Sequence, residues 1–131
     1  MRITLVGIPV KDQAKALAFY TEKLDFVKKH DIDVGGGNRW LTVVASEDPD
    51  GPEVSLEPAP LHFEPSKVFQ EALYSAGIPY TQFNVDDLQG TYDRLTAKGV
   101  IFRSEPKASD QSKYVMLDDT CGNYIMLVEM L

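Results

Sequence analysis

The chain has 131 residues, 44% of them hydrophobic and 25% charged, with a formal net charge of −7. This is the size of one domain, with enough apolar content for a core, and the negative balance argues against a nucleic-acid surface, which needs a Lys/Arg footprint. No stretch reaches the ~20 apolar residues of a membrane helix, the start lacks a basic-then-apolar signal pattern, and the lone Cys121 has no partner for an internal disulfide. A cytoplasmic protein with no nucleic acid and no membrane among its partners is expected.

Residues 2–10 are β-branched and apolar and read as a strand. Asp12 stands where an N-cap belongs, before a helix over residues 14–24 in which Ala14, Leu17, Ala18 and Leu24 share a face. A weak strand at 26–31 and the turn Gly35-Gly36-Gly37-Asn38 lead into a strong strand at 39–46. A second turn at 47–51 is followed by a strand over Glu53–Glu57, stopped by Pro58. Residues 58–65 read as a rigid Pro-rich connector. Ser66 looks like the cap of a short helix over 67–75, with Gly77 as its stop. A strand at 80–85 follows, then a helix at 88–98 between Asp87 and Gly99. The remaining strands fall at 100–104, 114–117 and 123–129.

Each half therefore reads β-α-β-β-β, and the halves match at an offset of 75 residues. Val10 superposes on Val85, Asp12 on Asp87, and Tyr20 on Leu95. A repeat this long marks a duplicated supersecondary module, since a solenoid needs shorter periods and at least three copies. Two equivalent halves place equivalent residues around one shared cleft. The expected fold is α+β: two βαβββ modules forming a curved mixed sheet around a central cleft. Module one covers about 1–57, the connector 58–79 and module two 80–131, all within a single domain.

Val10, Asp12, Ala16, Phe19, Tyr20, Leu24 and Phe26, with their counterparts Val85, Asp87, Tyr92 and Leu95 and the closing Asp118-Asp119-Thr120-Cys121-Gly122-Asn123, resemble the glyoxalase / bleomycin-resistance / dioxygenase superfamily, also called vicinal oxygen chelate proteins. The resemblance spans essentially the whole chain. It implies a curved sheet cupping a small-molecule site, and homodimers formed through sheet edges or by module exchange. It also implies up to four metal ligands, His or Gln on each first strand and Glu on each last strand. Here those positions fall on Leu5, Tyr80, Met126 and Glu57. Leucine cannot coordinate, a phenol with a pKa of ~10 is a poor ligand at neutral pH, and a thioether suits soft metals. Glu129 follows Met126 by three residues, so strand alternation sends it to the opposite face. No metal and no cofactor are expected, with a divalent metal as the alternative.

If these positions face the cup, alternation adds Gln82 and Asn84 beside Tyr80, Ser55 beside Glu57, and Tyr124 beside Met126. Trp40 and Thr42 are assigned to the cup, with Leu41 and Val43 toward the helices. The set is an apolar and aromatic wall with a few polar groups, the usual make-up of a ligand pocket. Glu57 is the candidate catalytic group, a general base if burial raises its pKa. The expected ligand contacts are Leu5, Trp40, Thr42, Ser55, Tyr80, Gln82, Tyr124 and Met126. The resemblance with most metal ligands missing points to metal-free binding of a small organic molecule by a homodimer, as in bleomycin-resistance-like proteins. Two alternatives stand beside it: a metal-dependent enzyme (a glyoxalase-type lyase, an epimerase or an extradiol-type dioxygenase) and an interaction or regulatory module.

Overall fold

In the computed structural model, which describes residues 1–131, the first half runs β1 (Leu5–Pro9), α1 (Gln13–Ala18), β2 (Val27–Gly35), β3 (Asn38–Val44) and β4 (Glu53–Glu57). The second runs β5 (Thr81–Asn84), α4 (Leu88–Ala97), β6 (Ile101–Phe102), β7 (Lys107–Ala108), β8 (Ser112–Asp118) and β9 (Tyr124–Met130). Between them lie α2 (Ala59–His62) and α3 (Glu64–Ala76). No helix is long and apolar enough to cross a membrane.

Local chemistry sets these boundaries. The Asp12 carboxylate accepts the Lys15 N–H at 3.0 Å, and that of Asp87 accepts the Gly90 N–H at 3.0 Å, so both helices start on side-chain caps. α1 is shorter than its periodicity predicts. It passes into one π turn, Phe19–Lys23, closed by a bond from Leu24 N–H to the Phe19 carbonyl. That widened turn buries the adjacent Phe19 and Tyr20 together. The connector is helical. Pro60 and Pro65 sit in the first turns of α2 and α3, where a missing N–H is harmless. Phe63, not Ser66, occupies the N-cap of α3, and Gly77 ends it at φ 68°.

The expected mixed sheet comes as two, one per module, of four and five strands. The first has the order β1-β4-β3-β2 and the second β5-β9-β8-β6, with β7 also on β8. In each, the module's first strand lies parallel to its last: β1 on β4 and β5 on β9. One face of each sheet feeds a common core of 17 buried apolar residues. Ile8, Leu41, Val43 and Leu56 come from the first module, and Val115, Leu117, Ile125 and Leu127 from the second. The opposite, outer faces carry the positions assigned to the cup.

The modules are joined by polar contacts at the end of β1. The Tyr20 hydroxyl donates to Asp119 at 2.8 Å, Asn123 Nδ2 donates to the Pro9 carbonyl at 2.8 Å, and the Lys11 N–H reaches the Cys121 carbonyl at 3.0 Å. Gln70 of α3 adds a bond to the Pro9 carbonyl at 2.8 Å. Away from this point, Asp25 pairs with Arg94 on α4 and with Lys98, its C-cap.

Candidate functional site

The outer face of the first sheet centres on Glu57, the last residue of β4, paired with Pro9. Its side chain leans back over Gly7. A Cβ built on Gly7 would lie 3.3 Å from Glu57 Cγ and 3.5 Å from Oε1. Glycine inside a strand marks such a close approach, and here it makes the cradle for the carboxylate. Five carboxylates are half-buried: Asp12, Glu53, Glu57, Asp118 and Glu129. Four have partners. Asp12 caps α1, Glu53 takes the Thr42 hydroxyl, Asp118 takes Tyr74 and Thr120, and Glu129 takes the Leu88 N–H and Lys113. Glu57 alone has no hydrogen-bond or ion-pair partner within the chain.

Tyr80 stands one step before β5 and continues its ladder through an N–H bond to the Tyr124 carbonyl at 2.8 Å. Burial, and after it the Glu57 charge, push its phenol above the ordinary pKa. The two modules thus bring Glu57 and Tyr80 within electrostatic reach. The edge of Phe69 on α3 closes on the Tyr80 ring, with centroids 6.3 Å apart. Leu5 and Trp40 are 42% and 37% exposed on the same outer face of the first sheet. Met126 is half-buried opposite Gln82, which is exposed and donates to Asn84 Oδ1 at 3.0 Å.

Three of the expected contacts are covered or engaged within the chain. Trp40 and Thr42 do face outward, with Leu41 and Val43 in the core, but Thr42 is fully buried. Its hydroxyl donates to Glu53 Oε1 at 2.7 Å and accepts the His30 N–H. Ser55, opposite Thr42, is 2% exposed and equally sealed. Tyr124 is engaged: Tyr74 stacks on it at 4.3 Å, and the Arg103 guanidinium lies 4.9 Å from its ring centre. Gly7, Phe69, Tyr74 and Arg103 were not among the sequence candidates. Only Gly7 carried a readable signal, a glycine in mid-strand.

The pairing of ligand positions also shifts. Gly7 and Gln82 are repeat-equivalent, and they lie opposite Ser55 and Met126 respectively. Ser55, not Glu57, is therefore the structural counterpart of Met126, and Glu57 matches Val128. The backward lean of Glu57 over Gly7 returns its carboxylate toward the Ser55 level. As a metal site the set fits poorly. Leu5 offers no donor atom, Met126 offers sulfur, and the Tyr80 phenol is held further from ionisation than a free one. Nowhere do three His, Cys, Asp or Glu side chains gather in metal-binding geometry. Glu129 cannot help, since the Leu88 N–H and Lys113 hold its carboxylate on the α4 side.

Comparison with known proteins agrees with this fold. The family model for the Glyoxalase/Bleomycin resistance protein/Dioxygenase superfamily matches residues 2–127. The chain is 44% identical over 129 residues to Uncharacterized protein YurT of Bacillus subtilis (strain 168), covering 98% of this chain and 99% of that one. Among solved structures it is similar to UcmS2, with 33% identity, a TM-score of 0.83 and coverage of 98% of each chain. It also shares its fold with TnmS3, an antibiotic binding protein from Streptomyces sp. CB03234, with 24% identity, a TM-score of 0.73, and coverage of 100% of this chain and 97% of that one.

Proposed function

The chain belongs to the glyoxalase/bleomycin resistance protein/dioxygenase superfamily, and from that membership we propose that it binds a small organic molecule on its outer face, at Glu57 and Tyr80, without a metal ion. The observation that carries this reading is the unpartnered Glu57 carboxylate, half-buried and laid over Gly7. A carboxylate in that state takes a ligand's N–H, O–H or cationic group as its missing partner, and such charge-assisted bonds are the strong ones. Leu5, Trp40 and the Tyr80–Phe69 pair supply the apolar and aromatic surface beside it. TnmS3, described as antibiotic binding, lends support only through the shared fold. The choice of molecule rests on this chain's own residues.

The binding unit is a homodimer in the cytoplasm. β1 is an edge strand, and Ile3, Leu5, Val6, Ile32 and Val34 are all exposed on or beside the first sheet. Edge strands and apolar faces of this kind are covered in a stable assembly. Should the bound molecule turn over, Glu57 is the group placed to take its proton.

The test uses Trp40, the single tryptophan. Small aromatic and cationic compounds are screened by Trp40 emission and thermal shift, against wild type and Glu57→Gln. A true ligand shifts both signals, and Glu57→Gln weakens it by about tenfold, the loss of one charge-assisted bond. Unchanged affinity in Glu57→Gln overturns the site. Binding that requires stoichiometric metal overturns the metal-free mechanism.

A further inference from the structure

The duplicated modules meet at two equivalent seams, and one of them holds a cavity. At the end of β1 the seam is filled by Tyr20, Asp119, Asn123 and Gln70, and tied by the Lys11–Cys121 backbone bond. At the end of β5, Leu95 stands in the place of Tyr20. The registers of β3 and β8 put Ala45 in the place of Asp119, because Thr42 and Met116 face Ser55 and Met126. No backbone bond ties Asp86 as Lys11 is tied. Two smaller side chains leave a space of about 330 Å³.

That space has a defined chemistry. Leu24, Phe26, Phe83, Leu95 and Leu127 make its apolar lining. Phe26 and Phe83 lie 5.2 Å apart with their rings tilted at 54°. The polar part is acidic. Glu47, Asp86, Asp87 and Asp25 line it, against the single cation Arg94. Arg94 is itself bound to Asp25, which also takes Lys98, so that corner is neutralised. Asp87 is committed as the cap of α4. Glu47 and Asp86 have no partner in the chain. An aromatic lining beneath uncompensated carboxylates suits an ammonium ion carrying an apolar body, with both cation–π and Coulomb attraction available. The volume lies at the lower end of small-ligand pockets.

We propose that this seam is a second ligand site, separate from the Glu57 face, and that it takes a small organic cation with a compact apolar or aromatic body. The sealed seam shows what body an occupant supplies: a ring at the place of Tyr20.

The test is a tryptamine titration of isotope-labelled protein, followed by amide and aromatic chemical shifts. Its anionic analogue, 3-indolepropionate, is run in parallel. Tryptamine shifts Phe26, Phe83, Val85 and Thr91 with an affinity of about 1 mM or tighter, and 3-indolepropionate does not. Ala45→Leu, which fills the space from an exposed turn, weakens tryptamine by about tenfold or more. Asp86→Asn weakens it several-fold, an effect that shrinks with added salt. Glu57→Gln leaves the seam shifts and their affinity unchanged, which separates the site from the one on the outer face. The proposal is overturned by an absence of seam shifts at about 10 mM tryptamine, by shifts confined to Glu57 and Tyr80, by equal binding of the anion, or by full affinity in Ala45→Leu.

Discussion

At the end of β1, Tyr20 reaches across to Asp119 and the space between the modules is shut. At the matching end of β5, Leu95 faces Ala45 and the space stays open. The two places descend from one module geometry, so their difference isolates what a few side chains do. Asp119 accepts from the Tyr20 hydroxyl, two backbone N–H groups and Asn123 Nδ2, and is fully buried. Burial pushes its carboxyl pKa up against the pull of those bonds, and it pushes the Tyr20 phenol well up too. At the other seam Asp25 is exposed at φ 62°, and the bond from Lys98 holds its pKa down. One seam is a buried polar lock and the other an exposed ion cluster beside a cavity.

Removing the lock gives the largest expected effect. Asp119→Ala strands four donors in a fully buried site and costs about 3 kcal/mol of stability, even after relief of the buried charge. Urea unfolding measures it. A cost below about 1 kcal/mol would mean that this seam is no tighter than the other. Next comes Leu95→Ala, which deletes a residue only 2% exposed and enlarges the existing cavity. It destabilises by about 2–4 kcal/mol. The same variant keeps tryptamine binding, whereas Ala45→Leu loses it.

The smallest effect is electrostatic. The native pKa of Asp25 lies below its unfolded one, so its contribution is present above the ordinary carboxylate range and is lost as pH falls through the native value. Asp119 is raised instead. Its contribution is complete below the ordinary carboxylate range and is lost as pH rises through the native value. Asp25→Asn therefore flattens the acid limb of the stability curve by less than about 1 kcal/mol, and salt erases the difference. A steeper acid limb in Asp25→Asn would contradict the assignment of opposite signs to the two seams.

Much of the fold was legible in the residues. Asp12 and Asp87 cap as predicted, Gly77 stops α3, and β4 covers the expected Glu53–Glu57. What escaped has physical causes. β2 extends to Gly35 because its charged and apolar residues alternate on an open edge, which reads weakly as a strand. The π turn depends on burying Phe19 and Tyr20 together, a tertiary demand. At the site, Glu57 was visible as the lone carboxylate among the positions compared. Its perch over Gly7 depends on the pairing of β1 with β4, and that pairing also moved the equivalence from Glu57 to Ser55. Thr42 and Ser55 lie on the predicted face yet are covered, since alternation fixes a direction and leaves exposure open. The unlike seams were also latent in the repeat. Tyr20 against Leu95 is visible in the aligned halves, while Asp119 against Ala45 needs the strand registers.

The most direct test of metal-free binding is elemental analysis of protein purified without chelator, followed by adding back Ni, Zn, Mn, Fe and Co and reading thermal unfolding of wild type and Glu57→Gln. The account predicts metal far below one ion per chain and no shift in Tm from any ion in either protein. Stoichiometric metal that raises the Tm of wild type and is lost in Glu57→Gln would contradict it, and would make Glu57 a ligand.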